Sequence, residues 1–318
     1  MRLKLGFVPL TDAAPLIVAQ ANGFFADEGL EVEVSREASW ATVRDKLMVG
    51  ALDGAHMLAP MALAAALGIG SEPAPLIVPM ALARGGAAVT LSARIPADGL
   101  ARLVEQRREA GASPLTFAVV FPYSIHNYLL REWLARSGVD PDADVRIIVA
   151  PPSRMAGLLA EGVIEGFCAG EPWSDAAVAA GVGRIAVRAG DVWAKAPDKV
   201  FAVAEGWADA GPARLQATLR ALLRASAWIE TAENRPLAAE ILARPEHLAV
   251  PAEVLANGLG RIAFCRDGAC VPNRADAVWL LGEMKRWGQV DADLDAAAAA
   301  ARIYRPDLHG EAARALSA

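Results

Sequence analysis

Several short segments place polar side chains where an open α/β sheet usually meets its ligand, at the junction between a strand and the next helix. Thr11-Asp12-Ala13-Ala14-Pro15 stands between an apolar run and a helical pattern. Pro15 in a first turn with Thr or Asp before it is also what ordinary helix capping produces, and capping alone explains the segment. Ser39-Trp40 opens a second helical pattern, with Ser39 as its cap and the indole N–H of Trp40 as a donor; a packed Trp in a first turn reads the same way. Ser124-Ile125-His126-Asn127 opens a third. The positive field of a helix N-terminus disfavours an imidazolium, so His126 is expected as a neutral N–H donor, unless it is only a surface residue. Lys199 is one of 5 lysines in a chain with 26 arginines and stands just before an expected strand, in Ala196-Pro197-Asp198-Lys199-Val200. Helix N-termini, neutral donors and one ammonium together suit a small anion. Glu171, in Gly170-Glu171-Pro172-Trp173, reads either as a base or as the cap of the following helix, and no catalytic acid–base pair is visible.

Short apolar runs must position these residues. Strands are expected at 3–8, 31–34, 54–58, 76–83, 87–91, 115–120, 145–149, 166–169, 184–187 and near 200–204. Helical patterns separate them at 15–23, 39–50, 60–67, 96–110, 124–137, 153–161 and 173–180. Strands spaced by helices of this length imply βαβ units and mostly parallel sheets. The remainder is helical, over 212–231, 235–242, 251–259, 274–287 and 293–302. Two α/β blocks and a helical tail predict two lobes, 1–92 plus 196–318 and 93–195, joined by two crossover segments that act as hinges around an interlobe ligand cleft.

Composition narrows the function classes. The 318 residues are 54% hydrophobic with a formal charge of −6, enough apolar content for a core and too little charge for disorder. No window offers the roughly 18 consecutive apolar residues of a membrane span. The basic residues are dispersed and outnumbered by 37 acids, which argues against direct nucleic-acid binding. The opening Met1–Leu10 runs into a strand and lacks the ~7–15-residue apolar stretch of a secretory signal, so a cytoplasmic location is expected. Cys168, Cys265 and Cys270 form no Cys-x-x-Cys, and the four histidines are scattered, so no metal site is expected. Cys265 and Cys270 would close a small loop if oxidised; two ordinary thiols are the expectation in the cytoplasm. Phosphate-loop and nucleophile-elbow strings are absent. Gly181-Val182-Gly183 follows a helix and precedes a strand, the reverse of a dinucleotide fingerprint, and reads as a helix C-cap and a turn.

Larger blocks carry a resemblance. Gly6–Pro15 and Gly23–Leu30 resemble the opening of the nitrate/bicarbonate/taurine family of ABC-transporter solute-binding proteins. Glu37–Trp40 with Arg44–Lys46, Leu52–Met61, Gly166–Trp173, Pro197–Val200, Arg286–Gln289 and Ile303–Leu308 look like its nitrate branch, so the resemblance runs from Leu5 to about Leu308. It implies a periplasmic-binding-protein type II clamshell. It further implies that Trp40 lines the anion pocket, that His126 donates to the anion, that the backbone at Gly170 lies beside it, and that Lys199 meets its charge. Bicarbonate-binding relatives carry an acid at the position of Lys199 and recruit calcium; a lysine there implies a metal-free site without cofactor. One segment departs from the pattern: Arg84-Gly85-Gly86-Ala87 replaces the Asn-Gly-Gln of nitrate binders, leaving Arg84 as a candidate substitute donor.

The missing signal points, within this resemblance, to a cytoplasmic nitrate/nitrite sensor that holds an RNA-binding antiterminator inactive until the anion binds. A transporter's solute-binding subunit, working with an ABC permease, is the alternative. An enzyme on the same fold, such as a thiamine-precursor synthase, would show a His- or Cys-rich active-site segment, which this chain lacks.

Overall fold

The computed structural model describes residues 2–96 and 99–317. It divides into two compact units, residues 1–84 with 197–318 and residues 85–196. Ten strands run in chain order: β1 Leu3–Phe7, β2 Val32–Arg36, β3 Gly54–Leu58, β4 Leu76–Arg84, β5 Ala87–Ser92, β6 Leu115–Val119, β7 Val145–Val149, β8 Gly166–Gly170, β9 Gly183–Arg188 and β10 Pro197–Ala204. They form two five-stranded sheets, β2-β1-β3-β10-β4 in the first unit and β7-β6-β8-β5-β9 in the second.

Both sheets share one plan, and it differs from the mostly parallel sheets expected. β1 pairs parallel with β2 and β3, and β6 pairs parallel with β7 and β8. The fourth strand of each sheet is antiparallel to both neighbours, β10 to β3 and β4, β5 to β8 and β9. These are the strands with which the chain enters the second unit, β5, and returns to the first, β10. A strand of a βαβ unit runs parallel because a helix brings the chain back to the same edge. Only Gly85 and Gly86 separate β4 from β5, so no such helix precedes it. Residues 85–92, expected with the first lobe, therefore belong with the second, and the chain passes between units at Gly85.

The inner strands β3, β5, β6 and β8 are buried along their whole length, whereas β2 and β9 at sheet edges are only partly so. Glycines admit large rings at matching places. A Cβ on Gly54 would lie 2.6 Å from the Phe201 ring, and one on Gly166 would lie 2.8 Å from that of Phe117.

Helices fall where the periodicity places them, with small end shifts. The helix expected from Pro96 runs Leu100–Glu109; residues 97 and 98 of that expectation lie outside the described residues. Four helices were not read from the sequence: Phe24–Asp27, Ala189–Val192, Glu205–Ala210 and Pro306–Ser317. The first three have six residues or fewer, less than two turns. The last buries only His309 and Ala312, so it has little apolar stripe to detect.

Candidate functional site

The first unit buries a compact group of ionisable side chains. Asp12 follows β1 in a short 3-10 turn, Thr11–Ala13, that runs into helix Ala14–Ala21. The cap of that turn is Leu10, with no side-chain cap bond, so Asp12 is not the capping residue it resembles in sequence. Its carboxylate instead lies 2.8 Å from Lys199 Nζ through one oxygen and 2.9 Å from His56 Nε2 through the other. His56 comes from the middle of β3, where its Cα partner on β10 is Phe201. All three residues are fully buried.

Lys199 lies inside β10, not ahead of it, and it is not a surface lysine. Its ammonium also donates to Asp198 Oδ1 at 2.6 Å. Neighbours along a regular strand point to opposite faces. Here the ladder between β10 and β4 slips on both sides of Lys199, an irregularity of the kind that re-aims side chains beside sites. That slip lets adjacent residues share one ion pair.

Trp40 begins helix Trp40–Met48, whose cap Ser39 accepts from the Thr42 N–H. Its ring lies 5.1 Å from that of His56, and Lys199 Nζ stands 5.7 Å from its centroid. Among the described residues, Trp40 Nε1 and Thr11 Oγ1 are buried polar atoms without a hydrogen-bond partner. Donors left in this state are uncommon in folded proteins and mark places where a ligand or water completes the network.

The electrostatics follow from burial and pairing. Burial pushes the Lys199 ammonium down, but the carboxylates of Asp12 and Asp198 more than offset this and hold it charged. Burial likewise works against ionised Asp12, yet Lys199 and His56 carry its carboxyl well below the usual range. Asp198 shares the same ammonium but faces the negative charge of Asp12. Burial, reinforced by that charge and opposed by Lys199, pushes it up to about 6. Burial also lowers His56 and keeps it neutral despite Asp12.

The other expected site residues lie elsewhere. His126 is in the first turn of helix Ile125–Arg136 in the second unit, beneath a Ser124 cap that accepts from the Asn127 N–H. It is fully buried and so is no surface histidine. Gly170 ends β8, opposite Ala87 of β5. Glu171 neither caps the next helix nor stands as an isolated base: it is buried against Arg188 Nη1 at 2.8 Å, and Asp175 holds Nη2 of the same guanidinium at 3.1 Å. Arg84 closes β4 in the first unit, paired through Nη2 with Asp276 of helix Arg274–Arg286, and its backbone bridges to Ala263. Thus the structure brings Trp40 and Lys199 together and adds Asp12, His56 and Asp198, which sequence reasoning missed.

Gly181 takes φ 69° just after helix Trp173–Ala179, and Gly183 opens β9, as expected for a helix end and a turn. Cys168, Cys265 and Cys270 form no disulfide with one another. Among the described residues no cluster of His, Cys, Asp or Glu has metal-holding geometry, and no helix is long and apolar enough to cross a membrane.

A family model described as the NMT1-like family matches residues 1–243. The nitrate import ATP-binding protein NrtC of Synechocystis is 36% identical over 99% of this chain, which spans about half (50%) of that protein. The nitrate/nitrite binding protein NrtA of Synechocystis is 34% identical over 98% of this chain and 76% of its own length. Its crystal structure, described as that of a periplasmic nitrate-binding protein, superposes with a TM-score of 0.93 over 99% of this chain and 89% of that one. The bicarbonate transport ATP-binding protein CmpC of Synechococcus elongatus is 33% identical over 99% of this chain and 50% of its own length. Overall identity therefore does not by itself separate nitrate from bicarbonate.

Proposed function

The chain belongs to the NMT1-like family, and from that premise we propose that it binds nitrate or nitrite without metal, as the solute-binding component of an ABC importer. The observation that carries this reading is the buried Lys199 ammonium beside the unpartnered indole N–H of Trp40, a cation and a neutral donor within one small volume. Lys199 supports nitrate over bicarbonate on the family resemblance, which implies an acid and calcium at this position in bicarbonate binders. His126 and Gly170 are the donors we assign to the second unit. Arg84 is the weakest of the assigned residues, because Asp276 already engages it.

A transport role is favoured over a sensor role because the NrtC relatives carry the name of nitrate import proteins. With that role goes a periplasmic location, the compartment given for NrtA. The antiterminator partner expected from the sequence draws no support from these relatives. Nothing in the buried group suggests turnover. It offers a held charge and donors, and binding is the reading we adopt over catalysis.

Calorimetry and thermal unfolding with nitrate, nitrite, bicarbonate and an alkanesulfonate, each with and without calcium, test the proposal. A ligand that binds only the folded chain raises its stability by ~2.7 kcal/mol at a hundredfold excess over Kd. Nitrate or nitrite should raise Tm without calcium. A response to bicarbonate alone, or one that needs calcium, overturns the assignment.

A further inference from the structure

The Lys199 ammonium is shared by two buried carboxylates, Asp12 and Asp198, so with both acids ionised these three groups carry an excess negative charge. Such a group repels the anion it is meant to hold. We propose that, if the anion-binding reading above holds, this site takes up its monoanion together with one proton from solvent, and that Asp198 is the proton acceptor. The step balances simply: the carboxylate of Asp198 becomes a carboxylic acid as the anion arrives, so the buried group gains no net charge.

Geometry selects Asp198 over its neighbours. Asp12 lies against two donors, Lys199 Nζ at 2.8 Å and His56 Nε2 at 2.9 Å, and both favour its ionised form. His56 sits against the same ammonium's field and inside the apolar core, which disfavours a second positive charge. Asp198 has to share Lys199 with Asp12 and already stands up at about 6 before any anion is present. A bound anion pushes it further.

The charged side chains on the described elements packed around β10 have partners of their own or lie toward its far end. Helix Ala59–Leu67 carries no titratable side chain, and β3 carries only His56. β4 ends in Arg84, which Asp276 neutralises. On helix Trp40–Met48, Arg44 pairs with Asp45 and Lys46 with Glu37. Glu205 and Asp209, on the helix Glu205–Ala210 that follows β10 at the end away from Asp198, act on Arg305.

Proton uptake also narrows the ligand class. One acceptor compensates one charge, so a monoanion such as nitrate or nitrite is matched. A dianion such as sulfate leaves one negative charge that this single proton does not compensate.

The test is titration calorimetry of the full chain with nitrate at pH 7.5 in two buffers of different ionisation enthalpy, where the difference in heat counts the protons taken up. Close to one proton per nitrate is expected. By linkage, affinity falls by up to about tenfold per pH unit above pH ~6 and levels off below it. Asp198→Asn should abolish the uptake and flatten the affinity between pH 6 and 8, while His56→Gln should leave the uptake in place. Nitrate binding without proton uptake by the unaltered chain, which needs no variant to read, overturns the proposal. Uptake that survives in Asp198→Asn overturns it too. Absence of heat with every anion at every pH defeats the anion-binding reading itself, an outcome distinct from binding without protons.

Discussion

On the proposed function Lys199 serves both stability and binding, and single substitutions mix the two. Removing one partner of a buried ion pair typically costs ~3–5 kcal/mol. Lys199→Met should therefore lower Tm, because Asp12 and Asp198 are left facing each other in the core. It should also weaken nitrate by two or more orders of magnitude. The double variant Asp12→Asn, Lys199→Met should regain much of the Tm and none of the affinity; recovered affinity would show that Lys199 does not meet the anion. Trp40→Phe separates the roles from the other side. It keeps a ring against His56 and removes only the indole donor. A hydrogen bond to a charged group is worth roughly 1.5–3 kcal/mol, so affinity should drop ~10- to 100-fold with Tm nearly unchanged. Stability also carries a signature of Asp198, whose folded value of about 6 lies above its ordinary 3.8. Between those values the folded chain holds the extra proton, so stability falls as pH rises through this window. Asp198→Asn should thus melt above the unaltered chain at pH 8, and the gap should close near pH 4. Lys199 and Trp40 were legible because a rare lysine and a cap-adjacent Trp stand out locally. Asp12 was not, since an acid before a helix looks the same whether it caps or pairs. His56 was hidden within an apolar strand, and its partner is far away in the chain.

Among the elements, the segment that begins at Phe264 hangs on one carboxylate. Glu230, at the end of helix Pro212–Glu230, accepts from the backbone N–H groups of Phe264, Cys265 and Arg266 at 2.6, 3.1 and 3.3 Å. Burial opposes its ionisation, but these donors and Arg266 hold its carboxyl below the ordinary value of 4.5. Its contribution is therefore complete above that value and is lost as pH falls through the lower, folded one. Glu230→Gln should reduce Tm at pH 7 and have little effect near pH 3; an equal loss at both would exclude the charge as the cause. Gly54→Ala should be more damaging than a surface change, by ~1–3 kcal/mol, because its methyl meets Phe201 at 2.6 Å. Apolar runs and their spacing made nearly every long element readable. Strand direction was not: alternation implies parallel pairing only when a helix returns the chain, and the two entering strands have none that does so. The ladder slip around Lys199 also left no trace in the pattern, so the meeting of Asp198 and Lys199 could not be foreseen.

At the level of the whole molecule, the two-unit division was legible from block order, and its first boundary moved to Gly85 because β5 pairs within the second sheet. The second unit is continuous, and its strands and helices enclose their own apolar core around Phe117, Leu129, Leu130 and Cys168. A fragment of residues 85–196 should unfold cooperatively on its own, with near-UV dichroism that vanishes at its Tm; a featureless melt would mean that it depends on the rest of the chain. The first unit is discontinuous, and the sheet of its N-terminal segment, residues 1–84, is incomplete without β10. That insertion dictates an order of assembly. As the polypeptide emerges from a ribosome or a translocation pore, β1 to β4 appear first, yet the strand that must lie between β3 and β4 arrives only after the whole second unit has passed. The early strands wait with open edges, the condition that invites wrong pairing with other chains. Nascent chains stalled with only residues 1–196 outside should contain a protease-resistant second unit and a readily cleaved first segment. Release of β10 then delivers Lys199 to Asp12 in the same event that closes the sheet, so the charged centre is among the last parts of the protein to form.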